Sequence, residues 1–225
     1  MASRDKSAQV VSPTELLKLG LTLMATWRQR EAHDPRLNAM DYRDGLLIAL
    51  LVLCPLRHAN LAQIRIGRHL LIENKVVRLR FAPEEMKGGR ALDVPFPEEL
   101  VESLQYYLDV VRPILATGPK VGDALWPNMH KKPIAEHAIY TRMIQITENH
   151  FGHLVTPHMF RDTAATFIAE MTPDRALMAA AVLQHRSFAS TMRHYIHGSQ
   201  HKASRYYQGA IAELLKQADH DGPPM

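Results

Sequence analysis

The stretch 156–167, Thr-Pro-His-Met-Phe-Arg-Asp-Thr-Ala-Ala-Thr-Phe, sets an imidazole three residues ahead of a guanidinium. Pro157 fixes the first helical φ and Thr156 can cap the free amides, so a helix begins here. The spacing puts His158 and Arg161 on one side of its first two turns, with Phe160, Ala164, Phe167 and Ile168 as an apolar stripe. A guanidinium donates paired hydrogen bonds to anionic oxygens and an imidazole exchanges a proton near neutral pH, so the pair suits a phosphate. It equally suits the half-exposed polar edge of an ordinary helix.

Two further cations have placements that bear on the same chemistry. Arg57 follows Cys54-Pro55-Leu56, directly after the apolar run 45–53. A charge so close to buried surface needs a partner, either an internal carboxylate or a bound anion. Lys87 opens Lys-Gly-Gly-Arg, where two glycines give mobility and let other backbone approach a ligand. A solvated hairpin lysine explains it as well.

The elements that must position these groups follow from periodicity. Ser12-Pro13-Thr14-Glu15 starts a first helix, with Leu16, Leu17, Leu19, Leu23, Met24 and Trp27 as its apolar face to about residue 30. A second helix runs from 38 or 41 to 53, proline ends it, and a short helix, 60–64, follows. Between 69 and 96 the period changes to two: Leu70 and Ile72, then Val77, Leu79 and Phe81, then Leu92, Val94 and Phe96. These predict three antiparallel strands. Helices resume over 97–115 and 135–149, with a Gly, Pro and Trp-containing loop at 117–132 between them. After the helix at Pro157, another runs over 173–183, a short one carries Thr191, Arg193, His194 and Tyr195 until Gly198 ends it, and the last covers 202–218. The fold class is α+β, mainly α-helical with a small three-stranded antiparallel sheet, in one domain over 12–218 between a flexible arm, 1–11, and a flexible tail, 219–225.

Composition narrows the partners. The chain has 225 residues, 46% of them hydrophobic and 22% charged, which suits one sizeable core. Its apolar runs are too short to span a bilayer and residues 1–11 carry no signal-peptide stretch, so a cytoplasmic protein is expected. The single cysteine, Cys54, excludes an internal disulfide and reads as a small buried hydrophobe rather than a nucleophile. Net charge is +4, and residues 57–90 hold eight Lys or Arg against three Glu, which points to an anionic partner and one basic face.

Taken together, Arg57 after a core helix, Lys87 in a β-turn, His158-x-x-Arg161, His185, and Tyr195 ten residues later form an order that resembles the tyrosine recombinases, the phage integrase family. The resemblance extends over residues 12–218. It implies the catalytic-domain fold of that family and DNA strand exchange through a covalent 3′-phosphotyrosyl link, formed by Tyr195 and leaving a free 5′-hydroxyl. Arg57 and Arg161 would clamp the non-bridging oxygens, Lys87 would protonate the leaving 5′-oxygen, His158 would handle the tyrosine proton or position the phosphate, and His185 would hydrogen-bond a phosphate oxygen. No metal, ATP or other cofactor is implied. The resemblance also implies a double-stranded DNA attachment site as partner, bound as a homotetramer, with a monomer when free and association with the bacterial nucleoid.

The chain departs from the family pattern in four places. Asn60 stands three after the first arginine, where an acid is usual and would buttress Arg57. Asp162 stands where a histidine commonly follows the second arginine, Gln184 replaces the glycine usual before His185, and the interval to Tyr195 is one longer than the commonest. The amino-terminal DNA-clamping domain usual in the family has no counterpart before Ser12, so an excised catalytic domain with weak, salt-sensitive DNA binding is expected. The last helix can dock on a neighbouring protomer or fold back on its own core, and at least one of Tyr206 and Tyr207 belongs to its buried face. Three other readings compete: a metal site among His150, His153 and His158 or His194, His197 and His201, a catalytically silent DNA-binding regulator, and a type IB topoisomerase-like enzyme.

Overall fold

The computed structural model describes residues 11–27, 34–74, 76–171 and 196–220. Its centre is the second helix, α2 (Pro35–Leu53), in which Leu46, Leu47, Ile48, Ala49, Leu50 and Leu51 are wholly buried. A helix apolar on all sides must be covered on all sides. The first helix, α1 (Pro13–Trp27), lies along it at glycine distance. A Cβ on Gly20 would stand 2.8 Å from the Gly45 carbonyl oxygen, and one on Gly45 would stand 2.6 Å from the Gly20 carbonyl oxygen. Only glycine at both positions permits that approach. Ser12 starts α1 as a capping box: its hydroxyl accepts the Glu15 amide at 3.2 Å, and its own amide donates to the Glu15 carboxylate at 3.1 Å.

α2 begins earlier than the apolar period suggests. Asp34 caps it by accepting the Arg36 amide at 2.9 Å, and Pro35 is its first residue. The start signal is Asp34-Pro35, well ahead of the apolar run. After α2 comes the short helix α3 (His58–Ala62), also shifted toward the amino terminus so that Arg57 is its N-cap residue.

The three strands pair as expected: β1 (Leu70–Glu73), β2 (Val76–Phe81) and β3 (Leu92–Pro95) form an antiparallel sheet in the order β1-β2-β3. Leu79 lies opposite Leu70 on one side and Val94 on the other, and Phe81 opposite Leu92, giving a continuous apolar face. Arg78 and Arg80 point the other way and share Asp93. Helical structure then passes from a 3-10 turn, Glu98–Leu100, through α4 (Val101–Tyr106) and α5 (Arg112–Leu115). Pro113 has no amide to return to Asp109, and the ladder loosens into a π turn, Tyr107–Val111, immediately before it.

The loop that follows is anchored by Trp126, a buried ring whose Nε1 donates to the Leu61 carbonyl at 2.9 Å. It therefore supports α3 from below. α6 (Glu136–Phe151) ends at Gly152, whose φ of +74° closes the helix. α7 (Pro157–Met171) starts at the expected proline, and the last helix, α8 (Ile196–His220), packs on β3, α1 and α2 of its own chain.

Gly198 does not end a helix; it lies inside α8. Glycine permits a helix end without forcing one, at about 1 kcal/mol relative to alanine in an interior position. The continuous helix places His197 and His201 on successive turns, yet no three His, Cys, Asp or Glu side chains gather as metal ligands among the described residues. Among the same residues no helix is long and apolar enough to cross a membrane.

Candidate active site

The site forms where α2 stops. The Cys54 amide closes the helix on the Leu50 carbonyl at 2.7 Å, Pro55 offers no amide, and Leu56 turns back onto the Cys54 carbonyl at 2.7 Å. Arg57 leaves this turn extended, at φ −68° and ψ 139°, and its carbonyl receives the Leu61 amide at 2.9 Å. Its half-buried side chain has no hydrogen-bond or ion-pair partner among the described residues.

The second arginine reaches the same turn from the other half of the chain. Phe160 and Ala164 bury one face of α7, and this carries Arg161, 8% exposed, inward so that its guanidinium donates to the Pro55 carbonyl. Burial first, and then the nearby Arg57 charge, together lower the Arg161 pKa to about 10. The guanidinium remains protonated at neutral pH. Two like charges in one half-buried turn repel, and an anion between them reverses the sign: a unit charge at 4 Å is worth ~4 kcal/mol where the effective dielectric constant is ~20. Beneath them the buried Cys54 thiol is pushed up to about 12 by desolvation, which keeps it protonated and bears out its role as a small core residue.

Lys87 sits on a longer connection than a simple hairpin. After Phe81 the chain makes a 3-10 turn, Pro83–Glu85, buries Met86, exposes Lys87, and reverses at Gly89, whose amide donates to the Met86 carbonyl at 2.7 Å. Gly89 has φ +64°, the left-handed region that a side chain would strain. The connection is tied to α3 by Asn60, 3% exposed, whose Nδ2 donates to the Glu85 carbonyl at 2.8 Å. Thus Asn60, which departs from the usual acid, links the helix of Arg57 to the turn of Lys87.

His158 lies differently. The Thr156 hydroxyl accepts the Met159 amide at 3.4 Å and so caps α7, but the His158 side chain is 76% exposed, with Nε2 3.8 Å from Asp162 Oδ1. The expected shared side with Arg161 therefore splits into an inward guanidinium and an outward imidazole. His185 and Tyr195 lie outside the described residues. Of the other tyrosines, Tyr207 is buried and donates its hydroxyl to the Val52 carbonyl at 2.8 Å, its pKa raised by desolvation. That phenol is a structural anchor, as the helical period anticipates for one of the pair.

The structure also supplies contacts that periodicity does not suggest. His58, next to Arg57, meets Glu136 at 2.9 Å and lies against the Tyr140 ring, which fastens α3 to the start of α6. A helix-opening acid was the available signal, but nothing in spacing joins residues so far apart.

Comparison with known proteins agrees with this fold. The phage integrase family profile matches residues 22–202. The tyrosine recombinase XerD of Staphylococcus aureus (strain Mu50) is 28% identical over 208 residues, 92% of this chain and 68% of that protein, and its Staphylococcus saprophyticus counterpart is 29% identical over the same coverage. Among solved structures, the XerH site-specific recombinase bound to palindromic difH substrate in a post-cleavage complex superposes with a TM-score of 0.57 at 18% identity. The match covers 97% of this chain and 55% of that one, so this chain spans about half the length of that recombinase. With the profile spanning most of the chain and the helices and three-stranded sheet of the fold in place, the chain belongs to the phage integrase family, as a catalytic domain of tyrosine-type site-specific recombinases.

Proposed function

We propose that this domain cuts and rejoins DNA at specific sites through a covalent 3′-phosphotyrosine on Tyr195. The observation that carries this reading is Arg57: a half-buried guanidinium beside Arg161, without a partner among the described residues, on a turn that a phosphate can approach. The Tyr195 oxygen attacks a backbone phosphorus, the P–O5′ bond breaks, and the 5′-oxygen takes a proton from Lys87. His158 takes up the phenol proton or positions the phosphate, and His185 hydrogen-bonds a phosphate oxygen. A phenol has a pKa of about 10, so attack at neutral pH depends on charge stabilisation, which Arg57 and Arg161 provide at the non-bridging oxygens. With two guanidiniums in that role the mechanism calls for neither metal nor ATP, since the phosphotyrosine conserves the ester bond for a partner 5′-hydroxyl. The partner is a double-stranded DNA site, engaged by a homotetramer in the cytoplasm, with residues 12–218 as the catalytic unit.

The test uses a pool of nicked duplexes of randomised sequence, in which cleavage near the nick releases a short strand and traps the protein on DNA. Denaturation-resistant adducts are captured and sequenced for wild type, Tyr195→Phe, Tyr207→Phe and Arg161→Ala. Adducts with wild type and Tyr207→Phe alone are expected. An adduct formed by Tyr195→Phe overturns the assignment, and binding without any adduct favours a silent DNA-binding regulator.

A further inference from the structure

Glu85 is the most heavily engaged carboxylate near the site, and no step of the proposed chemistry uses it. Its Oε2 accepts the Ala82 amide at 2.8 Å, while Oε1 accepts His69 Nε2 at 3.0 Å and the Arg68 guanidinium. Hydrogen bonding to His69, then to Ala82, holds its pKa down to about 2. His69 is itself fixed. It is 4% exposed, stacks on Phe81 with ring centroids 4.7 Å apart, and its Nδ1 accepts the Arg65 amide at 3.0 Å, which directs the remaining ring proton toward Glu85. The Glu85 backbone carbonyl, in turn, takes the Asn60 carboxamide at 2.8 Å.

We propose that Asn60, Glu85 and His69 form a brace that sets the Lys87 turn against α3, so that Asn60 and Glu85 are positioning residues for protonation of the leaving 5′-oxygen. The inference rests on the reading of Lys87 as general acid. Its path is short: Arg57 caps α3 and Asn60 lies three residues on within its first turn, Asn60 holds the carbonyl of residue 85, Met86 is buried beneath the turn, and Lys87 follows. One amide hydrogen bond thereby joins the group that holds the phosphate to the group that protonates its leaving oxygen. A proton donor misplaced by 1 Å can cost about 10²-fold in rate, so such a link has a kinetic consequence.

The brace makes a prediction opposite to simple kinship. Asn60→Asp installs the acid usual in the family, next to Arg57, but removes the only side-chain donor to the Glu85 carbonyl among the described residues. If position 60 merely buttresses Arg57, Asn60→Asp equals or exceeds wild type; if the brace operates, it fails with Asn60→Ala. The experiment compares adduct formation by wild type, Asn60→Ala, Asn60→Asp, Glu85→Gln and Lys87→Ala on a captured duplex carrying either the natural 5′-oxygen or a 5′-bridging sulfur. A thiolate leaves without a proton donor, so defects in leaving-group protonation vanish on sulfur. Both Asn60 variants are expected to lose about tenfold or more on oxygen, a part of the 10²–10⁴ that a general acid supplies, and to return to within about threefold of wild type on sulfur.

Full activity of the Asn60 variants on oxygen, or a loss that sulfur does not restore, overturns the proposal. Amide hydrogen exchange separates this from failure of the Lys87 assignment. Asn60→Ala should speed exchange of the Met86 and Gly89 amides while residues 46–53 keep wild-type protection. If Lys87→Ala cleaves oxygen and sulfur equally, Lys87 is not the acid, and exchange alone decides on the brace: unchanged protection of the turn sinks it.

Discussion

Arg43 and Arg142 close on a shared carboxylate, whereas Arg57 and Arg161 come together beside a backbone carbonyl. Arg43 is wholly buried in α2, and each nitrogen of its guanidinium is engaged: Nε and Nη2 donate to Asp44 Oδ1 at 2.9 and 2.6 Å, and Nη1 donates to the Pro127 carbonyl at 2.8 Å. Arg142 arrives from α6 and takes the other oxygen of Asp44 through Nε at 2.8 Å. The cluster is complete within the protein. At the end of the same helix the second pair meets with like charges near one another, and Arg57 has no hydrogen-bond or ion-pair partner among the described residues. Arginine burial alone does not mark a site; what distinguishes the two places is Arg57, for which no described residue supplies a counter-charge. A structural arginine carries its anion with it; in the proposed function Arg57 leaves that place to the DNA phosphate.

Breaking the first cluster should have the largest effect on folding. Asp44→Ala leaves the Arg43 guanidinium in the core without its carboxylate, while the part-exposed Arg142 keeps only Asp41 at 3.8 Å among the described residues, and removing one partner of a buried ion pair costs about 3–5 kcal/mol. Urea denaturation should show a midpoint lowered accordingly, and a shift under ~1 kcal/mol would mean that the cluster is solvated rather than structural. Arg57→Ala should do the reverse. Stability should stay within about 1 kcal/mol of wild type, because no internal bond is lost, while adduct formation drops by about 10²–10³, the usual range for removing one donor to a developing oxyanion. Loss of stability comparable to Asp44→Ala would turn Arg57 into a structural residue.

Tyr207→Phe gives a smaller and purely structural effect. It removes a buried hydroxyl from the Val52 carbonyl and leaves that acceptor unpaired, a cost of about 1–2 kcal/mol. Melting should fall by a few degrees while the folded variant still forms adducts. Loss of adducts without loss of fold would mean that Tyr207, and not Tyr195, reacts.

How far the residues announced these roles depends on how local each role is. Pro157, the strands around Leu70, Leu79 and Leu92, and the proline break before Arg57 act within a few residues, and all were legible. The start of α2 was missed because its signal, Asp34-Pro35, lies ahead of the apolar period that marks the rest of the helix. Gly198 misled because glycine allows a break that packing can refuse. The Asn60–Glu85 bond and the Arg43–Asp44–Arg142 cluster join distant segments, and Asn60 looked like a weakened acid only because its partner, a backbone carbonyl, has no sequence signature. Arg57 was legible as a charge in need of a partner, and only the fold showed that no described carboxylate supplies one.

The smallest expected effect is also the most direct test of the contrast between the two pairs. Sulfate resembles a phosphodiester in charge and oxygen geometry, and a ligand that binds only the folded state stabilises it by RT ln(1 + [L]/Kd). At a free concentration about three times Kd this amounts to ~0.8 kcal/mol, or about 2 °C for a domain of this size. Sulfate also stabilises proteins in general by exclusion from their surfaces, so the gain in wild type proves nothing by itself. The informative quantity is the difference between variants at equal sulfate. Arg57→Ala should lose the specific part, whereas Arg36→Ala, which removes an exposed guanidinium already paired with Asp34, should melt with the full wild-type increment. Equal increments in all three proteins would mean that Arg57 and Arg161 do not gather an anion at the Pro55 turn, and the distinction between a self-sufficient and a substrate-completed arginine pair would fail at its central point.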